Sequence, residues 1–289
     1  MPGIIWLASY PKSGNTWLRA FLANYLSDAR RPVAINDLPK HILGDNLKAH
    51  YLQFGGLKEG QLDAAAIAAL RPRVHCWMAG SSGRDIFVKT HNAVALADGV
   101  PLITPAATAG AIYVLRNPLD VAVSFAHHFK VSLERAAESL CEDDYRLPEQ
   151  GGILEQFLGD WGQHVRSWTS APGMTRLVLR YEDMQRAPLK AFGGVVRFLG
   201  LPKDMNRLKR AVRFSAFEEL RKQEGRGRFV EAHPDGKTPF FRGGTGGGWR
   251  AVLPEASRRR LIETFEPLLL EHGYRTGRSP GGTSAGERL

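Results

Sequence analysis

Three short stretches hold the residue types that handle anions and move protons. The first, SYPKSGNTW at 9–17, follows the apolar run 4–8. Gly14 lets the backbone turn its N–H groups onto an anion, and a helix starting there adds the positive end of its dipole. Lys12 adds a point charge, and Ser13 and Thr16 add hydroxyl donors. That is phosphate or sulfate chemistry. The nucleotide-triphosphate loop G-x-x-x-x-G-K-[ST] places its lysine at the helix start. Here the lysine stands two residues before the only glycine of the stretch. The second stretch is FVKTHN at 87–92. His91, just past a strand-like run, is a candidate general base, because an unperturbed imidazole titrates near pH ~6.5. Lys89, two residues earlier, projects to the same side if strand geometry persists. The third is VLRNPLDVAVS at 114–124. Arg116 offers bidentate contact to phosphate oxygens. Ser124 lies roughly two turns into the following helix.

The elements that must position these residues can be read from apolar periodicity. Strands are predicted at 4–8, 86–88, 111–115 and 177–179, the last running into Arg180 and Tyr181. Helical spacing links Trp17, Leu18, Phe21, Leu22, Tyr25 and Leu26. Asn117 is placed to cap the helix that begins at Pro118 and continues through Val121, Val123 and Phe125. Residues 189–199 and 258–270 read as further helices. Strands alternating with helices predict an α/β fold, a mostly parallel sheet covered on both faces. In such sheets ligands bind beyond the carboxyl ends of the strands. Lys12 and Ser13, Lys89 to His91, Arg116, and Tyr181 then meet at one end of the sheet, and that convergence outweighs any single stretch. Each also has a bland counterpart: a tight turn with a surface lysine, a hydrogen-bonded loop histidine, a core tryptophan at Trp17.

Two segments read as irregular: 36–83, mixed in Gly, Pro and Ala, and 222–248, dense in Gly, Arg and Lys. A loop of the second kind is functional or disordered. One domain over 1–275 is expected, with 276–289 a disordered tail. A net charge of +10 calls for an anionic partner. The basic residues are not grouped on one aromatic-studded element, so a nucleic-acid surface is not expected. Cys76 and Cys141 make no zinc spacing or disulfide framework, and no apolar run approaches a membrane span. A cytoplasmic protein is expected.

Together these stretches resemble the sulfotransferases that use 3'-phosphoadenosine 5'-phosphosulfate (PAPS). YPKSGNTW is similar to the family's 5'-phosphosulfate loop, usually YPKSGTTW, with Asn15 replacing one threonine. KTH at 89–91 resembles the catalytic strand end, and LRNPLDVAVSF at 115–125 the 3'-phosphate signature. YEDM at 181–184 resembles the strand end whose tyrosine reaches the adenine, and SAF at 215–217 with Leu220 the adenine-contacting segment. RGGTGGGW at 242–249 resembles the late loop RKGxxGDW, with Gly243 in place of the lysine and Gly248 in place of the aspartate. RAVLPEAS after it does not match the family's dimerisation motif, so the oligomeric state stays open.

The resemblance implies a single α/β domain like that of the P-loop nucleotide kinases. It implies sulfuryl transfer to an acceptor hydroxyl, with His91, Lys12 and Lys89 catalytic and no metal required. Lys12, Ser13, Gly14, Asn15 and Thr16 would hold the phosphosulfate end. Arg116, Ser124, Arg242, Gly243 and Gly244 would hold the 3'-phosphate. Trp17, Tyr181, Ser215, Phe217 and Leu220 would contact the adenine. The product would be adenosine 3',5'-bisphosphate (PAP), and the acceptor a small molecule or a glycoconjugate. Segments 36–83, 126–150 and 222–241 would shape the acceptor pocket. Two other readings are a P-loop kinase, which needs a Walker lysine and a magnesium-binding aspartate, and a non-enzymatic anion-binding protein.

Overall fold

The computed structural model describes residues 2–232, 239–243 and 246–274. The chain forms one α/β domain around a parallel five-stranded sheet. Its strands are β1 (Ile4–Ser9), β2 (Leu43–Gly44), β3 (Ile86–Thr90), β4 (Thr108–Leu115) and β5 (Arg176–Arg180). They lie in the order β2-β3-β1-β4-β5. The helices that matter for the site are α1 (Asn15–Leu26), α2 (Ala64–Gly80), α3 (Pro118–Phe129), α4 (Trp161–Thr169) and α5 (Tyr181–Arg186). Then come α6 (Pro188–Phe198), α7 (Met205–Phe214), α8 (Phe217–Glu224), α9 (Trp249–Val252) and α10 (Glu255–Glu271).

Both faces of the sheet are apolar, because successive side chains of a strand point to opposite faces. Ile4, Trp6 and Ala8 of β1 with Ala111, Tyr113 and Leu115 of β4 join the core that includes Val74, Phe125, Trp161 and Phe265. Leu7 with Ile112 and Val114 joins the opposite core, built on Leu18, Phe21, Phe192 and Val195. Side chains this deeply buried contribute ~1.5–3 kcal/mol each. β1 lies between two neighbours that the chain reaches in opposite directions, which opens a crevice beyond its carboxyl end. The register pairs Ala8 with Thr90, Ser9 with Val114 and Leu115 with Arg180, so the four long strands stop nearly level.

The four predicted strands are present, each slightly longer than its apolar run. Asn117 caps α3, its side chain accepting from the Leu119 N–H at 2.9 Å. The reading of 36–83 as irregular is corrected. That segment contains α2, capped by Asp63, which accepts from the Ala66 N–H at 2.8 Å, and it supplies the edge strand β2. The helix was masked by Pro72 in its interior, which reads as a breaker, and by an alanine-rich face with little amphipathic contrast. The expected tail at 276–289 lies outside the described residues. Among the described residues no helix is long and apolar enough to cross a membrane.

Candidate active site

The loop between β1 and α1 is held in an uncommon conformation. Lys12 has φ 67°, in the left-handed region that costs a non-glycine residue about 1–3 kcal/mol. Its carbonyl accepts a 2.8 Å hydrogen bond from Arg116 Nη1, which spans the crevice from the end of β4. Gly14 has φ 106°, and a Cβ there would lie 2.6 Å from the Tyr181 ring. Only glycine allows that close approach. Asn15 braces the turn, donating to the Leu7 carbonyl at 2.8 Å. The first N–H groups of α1 lack intrahelical acceptors and face out of the loop's end of the helix. Ser13 Oγ, Trp17 Nε1 and Arg116 Nε are buried without a hydrogen-bond partner. Buried donors left unsatisfied beside such a turn fit an anionic ligand.

The charges around this loop are closely spaced. The Lys12 ammonium sits 3.6 Å from the centre of the Phe240 ring. Burial lowers its pKa to about 7, with Glu231 opposing and Arg116 and Lys89 adding to the drop. Lys89, on the adjacent strand, is also lowered by burial.

His91 follows β3 and leans onto β1. Its Nδ1 lies 2.7 Å from the Ser9 carbonyl oxygen. A carbonyl only accepts, so Nδ1 carries the proton and Nε2 keeps its lone pair. Burial, reinforced by Lys89, holds the His91 pKa well below the usual histidine range, so the ring is neutral near pH 7. The backbone around it is over-determined. His164 Nε2 donates to the His91 carbonyl at 3.0 Å, and Tyr113 donates to His164 Nδ1 at 2.9 Å. Buried Asp45 accepts from Thr90 Oγ1 at 2.8 Å and from Asn92 Nδ2 at 3.1 Å. A neutral imidazole with a fixed tautomer can take a proton from a hydroxyl.

On the other side of Lys12, Ser124 and Arg242 line a narrow cleft with His127, His128, Pro239 and Phe240. Asp120 of α3 shapes the neighbouring glycine loop by accepting from the Gly247 N–H at 2.8 Å. Arg116 stacks over the Tyr181 ring, 4.1 Å from its centre. Trp17 meets Tyr181 edge-on at 5.7 Å. Phe217 packs on Phe241 at 6.1 Å, and Leu220 is buried with Phe229 and Phe241. Ser215 is fully buried and donates to the Ala211 carbonyl at 2.9 Å, so its hydroxyl faces its own helix. Gly243 is exposed, and a Cβ there would meet open space. Gly244 lies outside the described residues.

The structure thus gathers Lys12, Ser13, Gly14, Lys89, His91 and Arg116 at the level strand ends, with Ser124 and Arg242 beside them. Reading the sequence missed three groups. His127 and His128 share the cleft with Ser124; their spacing of three and four residues along one helix was a usable signal. His164 and Asp45 brace the His91 loop from distant elements. Arg19 and Glu231 form an ion pair at 2.6 Å next to Thr16. Among the described residues no group of three or more His, Cys, Asp or Glu side chains is placed to hold a metal ion.

The sulfotransferase domain model matches residues 2–273. The chain is 24% identical to flavonol 3-sulfotransferase of Flaveria bidentis over 96% of its length and 83% of the relative's. It is 26% identical to mouse sulfotransferase 1B1, covering 86% of this chain and 77% of the other. Among solved structures it is similar to mouse sulfotransferase SULT7A1 complexed with PAP, with a TM-score of 0.59, 20% identity and coverage of 92% and 84%. It is also similar to retinol dehydratase in complex with androsterone and the inactive cofactor PAP, with a TM-score of 0.64, 18% identity and coverage of 96% and 82%. The parallel α/β domain is the fold of these structures, and the family match places the chain in their class. The chain belongs to the sulfotransferase family and is a sulfotransferase enzyme.

Proposed function

We propose that the protein moves the sulfuryl group of PAPS to an acceptor hydroxyl by in-line transfer, with His91 as general base. The observation that carries this reading is the pinned His91 ring. Its Nδ1 is committed to the Ser9 carbonyl at 2.7 Å, which leaves Nε2 as a base beside Lys89 and the Lys12 loop. His91 takes the hydroxyl proton as the oxygen attacks sulfur. A positioned base of this kind contributes ~10²–10⁴-fold. Lys12 stabilises charge on the oxygen of the departing phosphate, and Lys89 shares that role. Ser13, Gly14, Asn15 and Thr16 receive the phosphosulfate end. Arg116, Ser124 and Arg242 receive the 3'-phosphate, with Gly243 and Gly244 in the adjoining loop. Trp17, Tyr181, Ser215, Phe217 and Leu220 border the adenine.

The acceptor class is a small molecule or glycoconjugate bearing a hydroxyl. The androsterone bound to retinol dehydratase, a structure of similar fold, supports an apolar acceptor among these. A cytoplasmic location and the extent of the domain to residue 275 belong to the same proposal. The test is transfer from sulfur-labelled PAPS to a panel of phenols, sterols and glycolipids. Wild type should label an acceptor, and His91→Ala should not while still binding PAP. Turnover by His91→Ala at the wild-type rate would remove the base assignment. Transfer of phosphate from ATP instead would remove the donor assignment.

A further inference from the structure

Glu231 lies 215 residues from Thr16 in the chain, yet its carboxylate sits on the anion loop. Thr16 Oγ1 is 3.4 Å from Glu231 Oε2, and Arg19 Nη2 donates to both, at 2.6 Å to the carboxylate and 3.1 Å to the hydroxyl. The Arg19 side chain is 2% exposed and that of Glu231 23%. The carboxylate is delivered by a built support. Asn36 Nδ2 donates to the Arg228 carbonyl at 2.9 Å, and Asn36 Oδ1 accepts from the Val230 N–H at 2.9 Å. Phe229, buried against Ala20 and Ala23 of α1, anchors the segment directly before it.

Besides Thr16, the groups acting on this carboxylate are cationic or protonatable. Arg19 comes from α1, Lys89 from β3 and His91 from the loop after it. Although burial pushes the Glu231 pKa up, these neighbours together hold it below the usual carboxylate range, so it is charged. Lys12 is surrounded in turn by Glu231, Arg116, Lys89 and Glu224, and Lys89 by Glu231, Arg19 and Asp45. Glu231 is the first attraction acting on both lysines against burial.

We propose that Glu231 is a positioning residue of the transfer site: paired with Arg19 it clamps the Thr16 hydroxyl, and its carboxylate is a counter-charge to the two buried lysines. The inference rests on the PAPS reading for its functional consequence. A carboxylate in the donor region would otherwise only repel an anionic donor. With Arg19 the pair is neutral, so it fixes Thr16 without adding net repulsion. It also keeps Lys12 cationic up to a higher pH than burial alone would allow.

Glu231→Gln separates charge from shape, because the amide oxygen still accepts from Arg19 and Thr16. Glu231→Asp keeps the charge and shortens the reach. The first measurement is lysine titration by NMR on ligand-free protein with ¹³C-labelled lysine, assigned with Lys12→Met and Lys89→Met. The Lys12 midpoint should fall by about one pH unit in Glu231→Gln and return most of the way in Glu231→Asp; a tenfold change in proton affinity is a modest response to losing a nearby charge. An unmoved midpoint in a folded Glu231→Gln protein, with melting checked separately, overturns the proposal. The second is PAP affinity at pH 6 and pH 8.5. The glutamine variant should lose affinity at pH 8.5 at least several-fold more than at pH 6. An equal gain in affinity at both pH values overturns the proposal, since Glu231 would then be only a competitor of the donor. Failure of wild type to bind PAP at either pH would instead sink the PAPS reading, and the NMR shift would still decide whether Glu231 sets the lysine charge.

Discussion

Replacing Lys12 with methionine should make the protein more stable and empty of nucleotide-binding ability. Burial lowers the Lys12 pKa from 10.5 to about 7. Each tenfold change in proton affinity is ~1.4 kcal/mol, so holding the ammonium in the folded site costs about 5 kcal/mol at neutral pH. The Phe240 ring, 3.6 Å from the ammonium, returns ~1–2 kcal/mol. Methionine keeps the stem without the charge, which leaves a gain of about 3 kcal/mol. The sign with pH follows from linkage. The folded pKa is the lower one, so between pH ~7 and ~10 the unfolded chain binds the extra proton and wild-type stability rises with pH by ~1.4 kcal/mol per unit. The advantage of Lys12→Met should therefore be largest at pH 7 and below, shrink to about 2 kcal/mol at pH 9, and vanish only near pH ~10.5. Urea unfolding of both proteins at pH 6, 7, 8 and 9 measures this. At pH 7 the variant should also melt ~6–12 °C higher. Equal stability at pH 7, or a gap that does not change between pH 7 and 9, would refute the claim that the site stores the cost of a buried cation.

Arg116→Ala should weaken PAP by ~10–100-fold, the range of a lost charge-assisted hydrogen bond, and adenosine 5'-phosphate much less; equal losses in calorimetry would make Arg116 only a brace for the Lys12 carbonyl. Gly14→Ala forces a Cβ to 2.6 Å from the Tyr181 ring at φ 106°, so both the melting temperature and PAP affinity should fall; unchanged values would show that the turn relaxes freely. The profile of kcat/KM for PAPS should be bell-shaped. Its acid limb should lie below the usual histidine range because His91 must be neutral and is lowered by burial. Its alkaline limb should start near pH 7, because Lys12 must be protonated and titrates at about 7 in the free protein.

Much of the site was legible because its chemistry is local. Lys12, Ser13 and Gly14 share one turn, and Lys89 with His91 one strand end, so type and spacing sufficed once the strands were predicted to run parallel. Asn117, Pro118 and Asp120 likewise announced a helix start. The rest depended on partners far apart in the chain. Arg19 lies in the buried face of α1, where periodicity registers Leu18 and Phe21 and passes over the charge. Only folding reveals that Glu231 comes to meet it. Asp45 and His164 support the His91 loop from an edge strand's end and from α4, and neither has a local signature. Ser215 stands out in the sequence only through its matching segment, and the bonds of its hydroxyl to the Ala211 and Val212 carbonyls have no sequence signal of their own.

The most direct test of the central claim is a thermal-shift titration of the wild-type protein with PAP, run beside ATP with magnesium. PAP at ~100 times its dissociation constant should add about 2.7 kcal/mol, which is several degrees for a domain of this size. A shift with PAP and none with ATP and magnesium is the result the account predicts. A shift with ATP and magnesium alone would contradict it and point to phosphoryl transfer.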